Sequence, residues 1–145
     1  EFLAGEAAAG RIPASIAERE GKVLLHGHCH QKAFGAMDAV RGALALCKGL
    51  SVETVEASCC GMAGAFGYAA ETYDISLRMG ELALLPAVRQ APAEAVIAAD
   101  GFSCRHQIQH GTGRRAQHVA QILCEAMRDP PHAAQPAGGG ASAQD

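Results

Sequence analysis

Cys29, the adjacent pair Cys59–Cys60, and Cys104 each follow a short segment that reads as a β-strand. KVLLHG precedes Cys29, VETVEA precedes the pair, and AVIAADGFS precedes Cys104. In a parallel sheet such positions fall on one edge, at the carboxyl ends of the strands, where open α/β folds build their sites. Four thiols far apart in sequence can therefore converge in space. Converging thiolates in a chain with no recognisable secretion signal point to a metal ion or an iron–sulfur cluster before a disulfide.

The Cys59–Cys60–Gly61 triplet is the sharpest local signal. Adjacent cysteines rarely bond to each other, because the ring they close is strained. In the glycine-rich loop SCCGMAGAFG two neighbouring thiols can instead address one cluster from a tightly folded backbone. An iron–sulfur cluster takes several thiolates, commonly four, and Cys29, Cys59, Cys60 and Cys104 supply them. The competing reading makes two or three of them small buried hydrophobes, as free cysteine often is. Cys47 and Cys124 lie within predicted helices, Cys47 as core and Cys124 as a bystander.

HGHCHQ sets His26, His28 and His30 around Cys29. They read either as ligands or proton donors beside a centre, or as hydrogen-bonded packing at a strand end. The second reading is favoured for His26, while His28 and His30 stay open. His106, two residues beyond Cys104, can join the same site. A zinc site of Cys and His is the main inorganic competitor, although structural zinc sites usually show close pairs such as C-x-x-C. Gly61, Gly64 and Gly67 open a helix after a strand, a context that also suits phosphate binding. Their spacing is not the dinucleotide fingerprint, and no acidic residue follows at the expected strand end. Arg114 and Arg115, at the start of the last helix, read as a solvated face or as a contact for a partner protein or an anionic cofactor.

The elements that must position these residues follow from apolar periodicity. Residues 1–20 read as a helical lead-in and 22–27 as the first strand. A helix follows from Gln31 to Cys47, with Met37, Val40, Leu44 and Cys47 on one stripe, ended by Gly49. Val52 to Ala57 is the second strand. A long helix spans Ala70 to Arg89, where Pro86 should kink it or start a new turn. Glu94 to Ala99 is the third strand, followed by a short helix at Arg105–Gln109, a break at Gly111–Gly113, and a last helix from Arg114 to Met127. From Asp129 the chain turns to Pro, Gly, Ala, Ser and Gln, and residues 129–145 read as a disordered tail. Strands alternating with helices predict an α/β fold: three layers, with a small parallel sheet of three or four strands flanked by helices, Rossmann-like.

At 145 residues, 49% of them apolar, the chain is long enough for one core. A net charge of −3 with no basic stripe argues against nucleic acid, and no apolar run reaches a membrane span. The opening at Glu1 reads as a cut at a domain boundary of a longer polypeptide. Six cysteines would suit a secreted disulfide scaffold, which the Ala-rich, helix-rich composition disfavours.

HGHCHQKAFGA, SCCGMAGAFGYAAETYDIS and DGFSCRHQI together resemble the cysteine-rich CCG domain. That domain occurs in the B subunit of heterodisulfide reductase, in the glycolate oxidase iron–sulfur protein and in the C subunit of anaerobic glycerol-3-phosphate dehydrogenase. The likeness is greatest to the C-terminal end of bacterial FAD-linked oxidases and covers roughly residues 22–127. The family pattern is a Cys, a CCG and a C-x-x-C. By position Cys29, Cys59, Cys60 and Cys104 match it, and Gln107 stands where its last cysteine would be. The resemblance implies metal ligation by Cys29, Cys59, Cys60 and Cys104, a four-iron cluster or a site completed from another domain, and His28, His30, Gly61, Arg105 and His106 around it. It implies electron transfer from FAD in the parent protein to a quinone or cytochrome, with flavin and ferredoxin-like domains and a second CCG domain as neighbours. The parent would oxidise a 2-hydroxy acid such as D-lactate, glycolate or D-2-hydroxyglutarate. This segment would carry no catalytic residue of its own; the cysteines and the want of a recognisable signal place it in the cytoplasm, within reach of the inner face of a membrane. The alternatives are a zinc-bound or metal-free interaction module, and a thiol–disulfide activity at Cys59 and Cys60.

Overall fold

The computed structural model describes residues 1–128. Its centre is one four-stranded, all-parallel sheet of order β2-β1-β3-β4. The strands are β1 (Ala17–His26), β2 (Cys47–Thr54), β3 (Val96–Ala99) and β4 (Ala116–Gln117). The helices are α1 (Phe2–Ala8), α2 (Cys29–Ala33), α3 (Met37–Ala45), α4 (Tyr73–Glu81), α5 (Leu84–Gln90), α6 (Phe102–Thr112) and α7 (Val119–Arg128), with a 3-10 turn at Phe66–Tyr68. This is the expected three-layer α/β arrangement, with four strands.

Side chains of a strand alternate between faces, and β1 shows the consequence. Val23 and Leu25 join one core with Val40 and Leu44 of α3 and Ile122 and Leu123 of α7. Leu24 joins the opposite core with Leu84 and Val88 of α5, Cys104 and Ile108 of α6, and Cys60. A strand buried on both faces must be apolar throughout, which is why VLL runs unbroken. The same alternation puts His26 on the Leu24 face, toward Cys60 and Cys104.

Strand order reverses between β1 and β3. The chain leaves β1 outward to β2, then crosses back over β1 to reach β3 and β4. At such a switch point the connections diverge and leave a crevice at the strands' carboxyl ends. His26 and Ala99, the last residues of β1 and β3, are paired there.

Several boundaries differ from the sequence expectation. The lead-in is helical only over Phe2–Ala8, and β1 already begins at Ala17. Positive φ at Gly10 and Pro13 end the helix. Cys47 opens β2 instead of closing a helix, because the segment from Cys47 pairs with the polar start of β1, Ala17↔Cys47 and Glu18↔Lys48. Pairing with a neighbour overrides local pattern in such edge strands. Cys47 is nonetheless buried, as expected, and Cys124 is exposed. The long helix is two: α4 stops at Glu81, and Pro86 lies in the first turn of α5, where its missing N–H costs nothing. The last helix starts later than expected because Ala116 and Gln117 add a fourth strand beside Ile97 and Ala98. α6 is longer than expected and ends at Gly113 in the left-handed conformation. The tail expected at 129–145 lies outside the described residues.

Candidate metal centre

All four singled-out cysteines sit beyond strand ends on the carboxyl edge of the sheet. Cys29 is the first residue of α2, after β1. Cys59 and Cys60 lie in the loop after β2, and Cys104 lies in the first turn of α6, after β3.

The structure draws two of the four tightly together and adds a residue read otherwise in the sequence. The ligand atoms of His26, Cys60 and Cys104 all lie within 4.8 Å of one another, and all three residues are buried. Cys29 is exposed and Cys59 half-buried; both are close enough for a charge on either to oppose ionisation of Cys104. Cys59 Sγ accepts a hydrogen bond from Gly61 N at 3.3 Å. Burial nevertheless raises its thiol above the ordinary value, more than that bond lowers it.

Cys60 and Cys104 behave as a pair. The neighbouring Cys104 sulfur, with help from His26 and the Met62 backbone N–H, draws Cys60 down to about 4 against the cost of burial. Cys104 is pushed up, first by the Cys60 sulfur beside it, then by burial and by the charge on Cys60. Two buried sulfurs of which one resists ionisation must give up a proton to take a metal ion together.

His26 corrects the expectation of hydrogen-bonded packing. It is 1% exposed, and among the described residues neither Nδ1 nor Nε2 has a hydrogen-bond partner. It approaches Cys60 without closing a hydrogen bond to it. An unpartnered buried imidazole costs of the order of 1–3 kcal/mol and calls for an explanation. The signal available in the sequence was its parity: two residues after Leu24, it must share that residue's face.

The supporting residues have defined tasks. His28 caps α2: its Nδ1 accepts from His30 N at 3.3 Å, and its own N–H is bound by Gln31 Oε1 at 3.0 Å. The His28 ring packs on Gly101, where an added Cβ would collide with it and come within 2.9 Å of Cys104 Sγ. Gln31 also donates to Asp100 at 2.7 Å, which accepts from Val119 N at 2.9 Å; this chain fixes the helix that starts at Cys29. Arg105 donates to the carbonyls of Ala99 and Asp100 at 3.0 and 2.6 Å, tying down the end of β3. His30 stacks on Phe34. His106 bonds Tyr68 Oη at 3.1 Å and lines a separate cavity of about 230 Å³. Gly61, at φ +93°, presses on the Ser76 carbonyl where any Cβ would clash, so the CCG turn needs glycine. Gln107 is buried and donates to Ser76 O and Oγ at 3.1 and 3.2 Å; its amide is spent on the backing of that turn.

The fold and edge thus define a parallel α/β domain with cysteine and histidine side chains gathered at its topological switch point. Thiolates and imidazole are the donor set of soft and borderline transition metals, and the orphaned His26 beside two buried sulfurs fits such a group.

Comparison with known proteins places the chain among segments of oxidoreductases. It is 33% identical over 103 residues to D-2-hydroxyglutarate dehydrogenase of Escherichia coli K12, covering 70% of this chain and 10% of that protein. It is 29% identical over 106 residues to the C subunit of anaerobic glycerol-3-phosphate dehydrogenase of the same organism, covering 73% and 26%. The D-2-hydroxyglutarate dehydrogenase of Pantoea ananatis is 34% identical over 77 residues, 53% of this chain and 7% of that protein. The chain therefore spans only 7% to 26% of these relatives' length. No family model and no solved structure matches it. No helix among the described residues is long and apolar enough to cross a membrane.

Proposed function

We propose that this chain is an electron-transfer domain that holds an iron–sulfur cluster through Cys29, Cys59, Cys60 and Cys104, within a larger flavin-dependent dehydrogenase of 2-hydroxy acids. The observation that carries the reading is the buried meeting of Cys60 and Cys104 at the switch point, with the more exposed Cys29 and Cys59 nearby. The resemblance to CCG domains and the names of the relatives, two of them dehydrogenases of a 2-hydroxy acid, support the same reading.

When bound, the cluster would supply one-electron chemistry, taking electrons singly after a flavin has removed two from the substrate. The chain's own residues bind and tune it. Cys60 and Cys104 offer sulfurs from a water-poor wall, and Cys29 and Cys59 offer theirs from the solvent side. Burial and hydrogen bonds to the sulfurs set the potential of such centres. Gly101 leaves room between the His28 ring and Cys104, and the Gly61 N–H reaches Cys59. Half-exposed ligands on one side suit a relay, whose partner must approach closely. The flavin, ferredoxin-like and second CCG domains, and a quinone or cytochrome acceptor, belong to this proposal.

Iron, sulfide and zinc content of protein purified without oxygen, read beside its visible and EPR spectra, tests it. About four irons and four sulfides per chain, lost in Cys60→Ser, are the expected result. Zinc in place of iron, or full iron and electron flow retained in both Cys59→Ser and Cys60→Ser, overturns it.

A further inference from the structure

His26 is the one buried polar side chain whose ring nitrogens both lack a partner among the described residues. The other two buried polar residues are accounted for, since Gln107 and Ser76 bond each other. The imidazole does not point into apolar packing: a ring nitrogen and the sulfurs of Cys60 and Cys104 lie within 4.8 Å of one another. Three separate elements deliver the three residues, namely the last residue of β1, the loop after β2 and the first turn of α6. Coincidence of three independent elements on one point is what a built site requires.

The separations also select the kind of site. Ligands held about 2.0–2.3 Å from one tetrahedral ion lie about 3.3–3.8 Å apart. The observed 4.8 Å is an upper bound on all three separations, so the donors need close only slightly to share a single ion. Ligands on different irons of a cuboidal cluster stand farther apart than this, because each iron takes one protein ligand.

We propose that His26, Cys60 and Cys104 bind one and the same metal ion, with a ring nitrogen of His26 as a direct ligand. The ion is a borderline divalent metal, iron or zinc, held on its own, so that this site and a cuboidal cluster that takes Cys60 and Cys104 on separate irons are alternative states of one edge. The inference rests on the reading of this edge as a metal centre, but not on four-cysteine ligation. Neutral imidazole in place of a thiolate leaves less negative charge on the metal, so a redox-active ion here has a higher potential than with sulfur alone.

Cobalt(II) added to the reduced, metal-free chain is the test, since it reports ligands in its spectrum without cluster assembly. The expected result is one-to-one binding with sulfur-to-cobalt charge-transfer bands and the intense d–d bands of a tetrahedral site. These should persist in the Cys29→Ser/Cys59→Ser double variant, and the affinity should fall by about tenfold or more in His26→Ala. His26→Cys should restore tight binding with stronger charge-transfer absorption, a readout that does not depend on His26→Ala folding. Failure of the wild-type chain to bind, loss of binding in the double variant, or spectra indifferent to both His26 substitutions overturns the proposal. Iron and sulfide content decides the electron-transfer reading separately: a protein with a full cluster and a His26-indifferent cobalt spectrum keeps that reading and loses this one.

Discussion

The sulfurs of Cys60 and Cys104 meet within 4.8 Å across the carboxyl edge of the sheet, and the two thiols are shifted apart, Cys60 downward and Cys104 upward. The relationship exists because the loop after β2 and the first turn of α6 meet at the switch point. Cys60 is already a thiolate at neutral pH, with its value down at about 4, whereas Cys104 still holds its proton there because its own value is raised. A metal that takes both sulfurs must therefore expel that proton. Metal uptake should release at least one proton at neutral pH, and affinity should fall as pH falls. Proton release measured in weak buffer during titration with cobalt or zinc checks this. Affinity independent of pH between about 6 and 8 would show that Cys104 is not engaged.

Gln107 occupies the position where a CCG domain has its last cysteine, and here it is a structural residue. Its amide holds Ser76 O and Oγ from inside the core. Gln107→Ala leaves both without that donor and opens a cavity, so it should destabilise the fold by about 2–4 kcal/mol in urea titration. The fraction that folds should still take up its metal. Full stability with loss of metal would make Gln107 a ligand instead.

Gly61 makes the adjacent CCG turn possible. At φ +93° and against the Ser76 carbonyl, alanine meets both a backbone penalty and a clash. Gly61→Ala should cost about 2 kcal/mol or more and should also displace Cys60, lowering metal content in the protein that remains folded. A variant with wild-type stability and metal content would show that the loop can rearrange freely.

Much of this edge is legible in the amino-acid order alone. Apolar strands ending in cysteine place Cys29, Cys59, Cys60 and Cys104 together, since a parallel sheet offers only one carboxyl end. The role of His26 is not legible in the same way. Its face follows from parity with Leu24 only once His26 is known to be the last residue of β1, and its want of a partner appears only when α5, α6 and the loop have closed around it. The start of β2 at Cys47 is hidden because KGLS has no strand pattern, and its pairing is dictated by β1 alongside. Ala116–Gln117 is too short to announce itself as a strand, so the periodicity of the last helix reads straight through it.

Cys47 and Cys124 separate structural thiols from ligands. Cys47 is buried beside Val23 and Leu44, and burial raises its thiol above the ordinary value. Cys47→Ser places a hydroxyl in that core and should cost about 1–3 kcal/mol, whereas Cys124→Ser, on the exposed side of α7, should stay within about 0.5 kcal/mol of wild type. Neither should change the metal content per folded chain. Loss of metal in either variant would mean that a thiol outside the carboxyl edge serves the centre, and the assignment by strand ends would be wrong.

Asp100 tests how firmly Cys29 must be held. One carboxylate oxygen takes the Gln31 amide at 2.7 Å and the other the Val119 N–H at 2.9 Å, and Gln31 in turn binds the N–H of His28, next to Cys29. The carboxylate thus joins the end of β3, the start of α2 and the start of α7. Asp100→Ala breaks both links and leaves the first N–H of α7 without an acceptor, at a cost of about 1–3 kcal/mol. If Cys29 ligates the cluster, its helix should loosen and iron should be lost faster to a chelator than from wild type, while cobalt bound at His26, Cys60 and Cys104 should hardly change. Equal acceleration for both metals would mean that Asp100 supports the whole edge; no acceleration for iron would mean that Cys29 needs no such positioning, or no metal.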